Sequence, residues 1–280
     1  MEKKINTSFM DQKRWNDVCG ASNLNEIKTN PELFIIEPRN VSKSKQDLID
    51  VMTNSDTKLI GLENKRILEF GSGRGEFSVL LAKLGGRVIG IDIGSDLIEL
   101  SKLVAELNNV KCDFVVGSID KLPFEDNSFD FVVGNGILHH LPKQGVLDSL
   151  NEAYRVLKPD GIALFTEPIE NSKFFNFLQN LLPLEKPGNP QYRPSILQRK
   201  RWKKYLFEAD DRDLTNKELI FAKGSFRNVD FKYYGFLIRL ARIFPNEKFS
   251  KLLTNVDLLF THRLSPFKKL SQGVFVVYRK

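Results

Sequence analysis

Between Arg66 and Thr166 the chain alternates two hydrophobic periods, and that alternation limits what it can fold into. Five short, nearly continuous apolar runs occur at Arg66 to Phe70, Arg87 to Ile91, Lys111 to Val116, Phe129 to Val133 and Ile162 to Thr166. Stretches with helical spacing separate them: from the loop after Phe70 through Leu84, Ser95 to Asn108, and about Lys143 to Leu157. A strand that is apolar on both faces must be covered on both faces, and a helical crossover returns the next strand parallel to the last. The spacing therefore predicts an α/β chain built on a parallel sheet.

The flanks are less regular. Ser42 to Thr53 reads as a helix, with Ser42 and Ser44 as candidate caps and Leu48, Ile49, Val51 and Met52 on one apolar face. The first ~40 residues show scattered aromatics and no clear period. Beyond Pro168, Phe174, Phe175, Phe177, Leu178, Leu181 and Leu182 predict an amphipathic helix, followed by a proline-punctuated loop. Phe226 to Phe231 reads as a sixth strand, Tyr234 to Phe244 and Lys251 to Phe260 as apolar helices carrying basic residues, and Gly273 to Tyr278 as a final strand.

The 280 residues are 41% hydrophobic and 28% charged, which suits a globular chain with a buried core and excludes a disordered or collagenous one. No apolar run reaches the ~18 residues that would span a bilayer. The start, Met1-Glu2-Lys3-Lys4-Ile5-Asn6, leads into polar sequence, so no signal peptide is expected. Cys19 and Cys112 stand far apart and read as buried thiols of a cytoplasmic protein. Three histidines and two cysteines without ligand spacing predict no metal site.

Charge is divided unevenly. Residues 185–280 carry 21 Lys and Arg against 9 Asp and Glu, while residues 1–184 carry 21 against 26. The densest basic run is Gln198-Arg199-Lys200-Arg201-Trp202-Lys203-Lys204. Such a surface suits an anionic substrate, nucleic acid or acidic lipid, and the plainer reading is a solvated helix face.

The chemistry is concentrated after the first strand, in Glu69-Phe70-Gly71-Ser72-Gly73-Arg74-Gly75. Glycines at a strand-to-helix turn permit a tight bend and close approach of backbone to a ligand. Asp92 ends the second strand about 20 residues on, where a carboxylate can accept both hydroxyls of a ribose. Together they predict a nucleoside cofactor at the carboxyl ends of a parallel sheet. Glu76 occupies the position where the dinucleotide fingerprint has its third glycine, and its carboxylate would oppose a pyrophosphate there, which disfavours NAD. No Gly-Lys-Ser/Thr follows, so a phosphate-binding P-loop is excluded.

Glu69-x-Gly71-x-Gly73-x-Gly75, Asp92, Leu122-Pro123-Phe124-Glu125-Asp126-Asn127-Ser128-Phe129-Asp130 and Arg155-Val156-Leu157-Lys158-Pro159-Asp160-Gly161 occur in order, with Lys158 to Gly161 reading as a turn that stops a helix before the fifth strand. Over roughly residues 62 to 168 the sequence resembles the class I S-adenosylmethionine-dependent methyltransferases, in the branch of the ubiquinone and menaquinone C-methyltransferases. The resemblance implies a Rossmann-like sheet of about seven strands, the last antiparallel, with a helical lid and insertion. It divides the chain into an N-terminal lid segment (1–60), a cofactor-binding core (61–170), an insertion (171–225) and a C-terminal completion of the sheet (226–280).

The resemblance also implies roles. Glu69, Gly71, Ser72 and Gly73 would line the methionine end of S-adenosylmethionine. Asp92 would hold the ribose, Ile93 would pack on the adenine, and Ser118 and Ile119 would meet the adenine edge. Many relatives carry Asp where Ser118 stands; a hydroxyl accepts the same bond without charge assistance. Asn135 would lie near the methionine moiety. His139 and His140, just past the fourth strand, are the candidate bases for an acceptor that must lose a proton; structural roles for both remain open.

The acceptor expected is a small molecule with an oxygen, nitrogen or carbon nucleophile, of acidic or lipophilic character. The aromatics Phe174, Phe175, Phe177, Tyr233, Tyr234, Phe236, Phe244 and Phe260 could wall its pocket or serve as plain core. Contact with a membrane surface would suit the same features. Two rivals are an RNA methyltransferase using the basic half and a non-catalytic S-adenosylmethionine-binding protein. Gly134-Asn135-Gly136-Ile137-Leu138 lacks a base-amine motif and no RNA-binding module is visible, so nucleic acid is not the expected partner.

Overall fold

The computed structural model describes residues 21–38, 42–54, 62–169, 214–221, 225–235, 253, 271 and 273–280. At its centre lies β1 (Arg66–Phe70), whose alternating side chains feed two cores. Leu68 and Phe70 enter one, Ile67 the other. Around it are β2 (Arg87–Asp92), β3 (Asp113–Val116), β4 (Phe129–Asn135), β5 (Leu157–Pro168), β6 (Asn228–Tyr234) and β7 (Gly273–Arg279). The seven strands are ordered β3-β2-β1-β4-β5-β7-β6. The first five are parallel, and β7 inserts antiparallel between β5 and β6. The order reverses direction at β1, between β2 and β4, which leaves a crevice at the carboxyl ends of those strands.

Helices cover both faces. They are α1 (Ala21–Thr29), α2 (Lys43–Asn54), α3 (Glu76–Lys83), α4 (Ser95–Leu107), α5 (Lys143–Val156) and α6 (Asn216–Phe221). One core packs Val146, Leu150 and Ala153 of α5 against Phe70, Val132 and Phe165. The other packs Leu48 and Met52 of α2 and Leu80 and Leu81 of α3 against Ile67, Val133 and Leu164. A third joins α1 and α4 through Ile27, Phe34, Ile98 and Val104.

Helix α2 falls where the sequence predicts it, with Ser42 Oγ 3.5 Å from the Lys45 N–H at its start. Helix α1 and a 3-10 turn over Pro31–Phe34 arise where no period is readable. Among the described side chains of residues 21–35, only Ile27 and Phe34 are buried, too few to leave a repeating pattern.

Two expectations need correction. Lys158 to Gly161, expected as a turn before the fifth strand, lie inside β5 as a bulge. Phe129 pairs with Leu157 and Phe131 with Ile162, so these four residues stand opposite Asp130 alone, with Asp160 at φ 63°. The sixth strand runs past Phe231 to Tyr234, the residue expected to begin a helix. Tyr234 stands opposite Gly273, and its ring fills the space a side chain there would need. The amphipathic helix of residues 174–182, the basic run 198–204, the rest of the two basic helices apart from Leu253, and His262 lie outside the described residues.

Candidate functional site

The crevice is bordered by the glycine loop after β1. Gly71, Gly73 and Gly75 all have left-handed φ, at 64°, 53° and 77°. Gly71 and Gly73 serve different ends. A β-carbon on Gly71 would come 2.4 Å from Ile137 Cδ1, so the loop packs directly on the segment after β4. A β-carbon on Gly73 would meet nothing within 4 Å, so its face is open space beside backbone.

Two buried carboxyl groups lie at the carboxyl ends of β1 and β2. Glu69, near the end of β1, is 4% exposed, and Ser78 Oγ of α3 donates to its Oε2 over 2.5 Å. Burial pushes its pKa up to about 7, against the lowering effects of Ser78 and the Lys45 charge. Asp92 ends β2, also buried. Its Oδ2 accepts from Gly73 N and its Oδ1 from Gly94 N, both at 2.9 Å. Burial raises its pKa too, with the N–H groups of Gly94, Gly73 and Ile93 opposing. Asp92 thus ties the glycine loop to the start of α4, and each oxygen retains accepting capacity.

The remaining candidates take different positions. Gly117 N donates to the Asp92 carbonyl at 2.9 Å, which brings Ser118 and Ile119 beside that residue. Ile93 and Ser118 are half-buried, while Ile119 is buried in the core beside Phe70 and Ile91. The Ser72 side chain turns away from the open face. It packs where a Gly90 side chain would stand, and its Oγ is buried without a hydrogen-bond partner among the described residues. Asn135 is half-buried, and its Oδ1 accepts from Thr166 Oγ1 at 2.5 Å across the β4–β5 pair.

The two histidines are not equivalent. His139 is buried, and its Nδ1 lies 2.9 Å from Oε2 of Glu167, a residue with no solvent exposure. The other oxygen of Glu167 accepts from Ile137 N and Leu138 N, both at 2.9 Å. His140 is half-buried, and its ring meets that of His139 at a 42° tilt with centroids 3.9 Å apart. Glu167 is the residue that sequence reasoning passed over. Its signal was a carboxylate directly after an apolar strand, in Thr166-Glu167-Pro168.

The site fits an adenosine-bearing amino acid better than a dinucleotide. It offers two buried acids and an open glycine face, and Glu76 stands in the first turn of α3 where a pyrophosphate would need positive dipole alone. Glu69, Gly73, Asp92, Ile93 and Ser118 are the groups that could hold such a ligand. Among the described residues no cluster of His, Cys, Asp and Glu could hold a metal ion, and no helix is long and apolar enough to cross a membrane.

Comparison with known proteins agrees with this geometry. Residues 68–165 match the family model described as a methyltransferase domain. A demethylmenaquinone methyltransferase of Staphylococcus aureus is 38% identical over 106 residues, covering 36% of this chain and 42% of the relative. The match thus spans about two fifths of the length of that curated relative. In fold, the chain is similar to phosphoethanolamine N-methyltransferase 2 of Haemonchus contortus in complex with S-adenosyl-L-methionine (TM-score 0.54, 17% identity, 84% of this chain and 52% of that one). It is also similar to a SAM-dependent methyltransferase of Methanosarcina mazei (TM-score 0.51, 22% identity, 78% and 93%). Over residues 68–165 this chain is thus similar to methyltransferase domains, and it shares the fold of S-adenosylmethionine-dependent methyltransferases.

Proposed function

We propose that the chain transfers a methyl group from S-adenosylmethionine to a small-molecule acceptor bearing an oxygen, nitrogen or carbon nucleophile. The observation that supports this most is the pair of buried carboxyl groups at the ends of β1 and β2, Glu69 and Asp92, the latter bonded to the backbone of Gly73 beside its open face. Asp92 accepts from the ribose hydroxyls through the capacity its two backbone bonds leave. Ile93 packs on the adenine, and Ser118 and Ile119 line its edge. Glu69 receives the ammonium of the amino-acid end, and Asn135 lies beside it.

S-adenosylmethionine, when bound, supplies a methyl group already activated by its positive sulfur. The chain's own residues then hold the nucleophile in line, exclude water and take a proton where the acceptor must lose one. His139 takes that proton. Glu167 accepts its Nδ1–H, which fixes the tautomer and leaves Nε2 as the basic nitrogen. His140 positions His139 through the contact of their tilted rings.

The acceptor is lipophilic or anionic. The basic composition of residues 185–280 supports an anion, and the name of the Staphylococcus relative supports a lipophile. The N-terminal segment acts as a lid over the core, and residues beyond 170 select the acceptor. A cytoplasmic location, with contact to a membrane surface, suits these properties. The test is transfer of isotope-labelled methyl to a panel of phenols, quinols, amines and phosphorylated amino alcohols. Transfer to one class, lost in Asp92→Ala, supports the proposal; tight cofactor binding without transfer to any acceptor opposes it.

A further inference from the structure

The amino-acid end of an S-adenosyl ligand is a zwitterion. A site that removes it from water must offer a cation as well as an acid. Glu69 is the acid. The positive charge that bears on it comes from α2, outside the matched domain. Lys45 Nζ lies 3.8 Å from Glu76 Oε2 and 5.7 Å from the centroid of the Phe77 ring, and its charge opposes the upward shift of Glu69. Both side chains remain partly open, at 23% for Lys45 and 32% for Glu76.

Lys45 is carried on a fixed support. Leu48, Ile49 and Met52 anchor α2 in the core shared with β1 and α3. Among the described residues, the other charged or titratable groups acting on Glu69 are Asp92 and Cys112. Neither provides a positive charge. Arg74 is committed elsewhere: its guanidinium lies 5.7 Å over the Phe34 ring and pairs with Glu76. Glu76 therefore has two cations, Arg74 and Lys45, and can release one without becoming an unpaired carboxylate.

We propose that Lys45 belongs to the ligand site and that binding is an exchange of ion pairs. The ligand ammonium takes over Glu69, and Lys45 turns from Glu76 to the ligand carboxylate. Arg74 keeps Glu76 paired throughout. This rests on the cofactor reading above and deepens it, by making α2 the element that recognises the amino-acid end.

The test compares two probes, S-adenosylhomocysteine and 5′-methylthioadenosine, which shares the nucleoside but lacks the amino-acid end. Calorimetric titration of the full chain and of Lys45→Met should show the first ligand weakened about tenfold to a hundredfold and the second unchanged. Lys45→Arg should retain most of the affinity for the first. Equal weakening of both ligands would mean that Lys45 only holds α2 in place, and no weakening of either would mean that it stands outside the site; both overturn the proposal while sparing the cofactor reading. Failure of the unaltered chain to bind either probe would overturn the cofactor reading and the exchange with it.

Discussion

His139 Nδ1 lies 2.9 Å from Glu167 Oε2, and the same carboxylate holds the backbone N–H groups of Ile137 and Leu138 through its other oxygen. One buried acid at the end of β5 thus shapes the turn after β4 and orients the ring within it. Glu167→Gln places an amide nitrogen where an acceptor is needed, leaving at least one donor unpaired. The expected costs are about 1–3 kcal/mol in stability and a fall in kcat of about a hundredfold, with KM little changed. His139→Gln should lose comparable activity with a smaller loss of stability. His140→Gln should retain most of both. Thermal melts and steady-state kinetics on the same preparations check all three.

The glycine loop offers a paired test. At Gly71 an added methyl meets Ile137 at 2.4 Å and left-handed φ penalises it further. Gly71→Ala should destabilise the chain by about 1–3 kcal/mol. At Gly73 the methyl meets open space, so only the backbone strain remains, about 1 kcal/mol. Gly73→Ala should fold and yet lose ligand affinity, because the methyl occupies the face a ligand approaches. Denaturant unfolding and titration of each variant separate the two effects.

The central sheet was legible because its strands are apolar on both faces and bounded by turns. Arg66–Phe70 matches its observed span, and the antiparallel last strand follows the resemblance. Glu69, Asp92 and the glycines stood out in the sequence because carboxylates at strand ends and glycines at a strand-to-helix turn are restricted residue types, and the structure gives those glycines left-handed φ. Glu167 was not, because its meaning depends on a partner 28 residues earlier in the chain. The bulge at Lys158–Gly161 was read as a turn because both use the same residues; only cross-strand pairing distinguishes them. Lys45 was hidden in a helix whose apolar face was the readable part. Ser72 fits the motif by position, but its side chain faces β2.

Glu69 makes stability depend on pH. Its pKa rises from 4.5 to about 7 on folding, mainly through burial. Between those values the folded chain binds more proton than the unfolded one, so this group's contribution to stability falls as pH rises through the interval. The penalty is absent below pH 4.5 and complete above about pH 7. Glu69→Gln should therefore stabilise the ligand-free chain at pH 8, by up to about 3 kcal/mol, and do little at pH 4.5. Chemical denaturation at both pH values checks the sign.

Asn108 fastens the N-terminal segment to α4. Its Oδ1 accepts from Ile36 N, and its Nδ2 donates to the carbonyls of Phe34 and Val104, each at 2.8 Å. Asn108→Ala should cost about 1–3 kcal/mol locally. Hydrogen exchange at Ile36 should accelerate while β1 amides stay protected.

The central claim is that the crevice at the carboxyl ends of β1 and its neighbours binds S-adenosylmethionine through Asp92. Calorimetric titration with S-adenosylmethionine and, separately, with NAD tests it most directly, using the unaltered chain, Asp92→Ala and Asp92→Asn. The account predicts micromolar binding of S-adenosylmethionine that is lost in Asp92→Ala and partly kept in Asp92→Asn, with no NAD binding. Absence of S-adenosylmethionine binding, affinity unaffected by either substitution, or preference for NAD would contradict it.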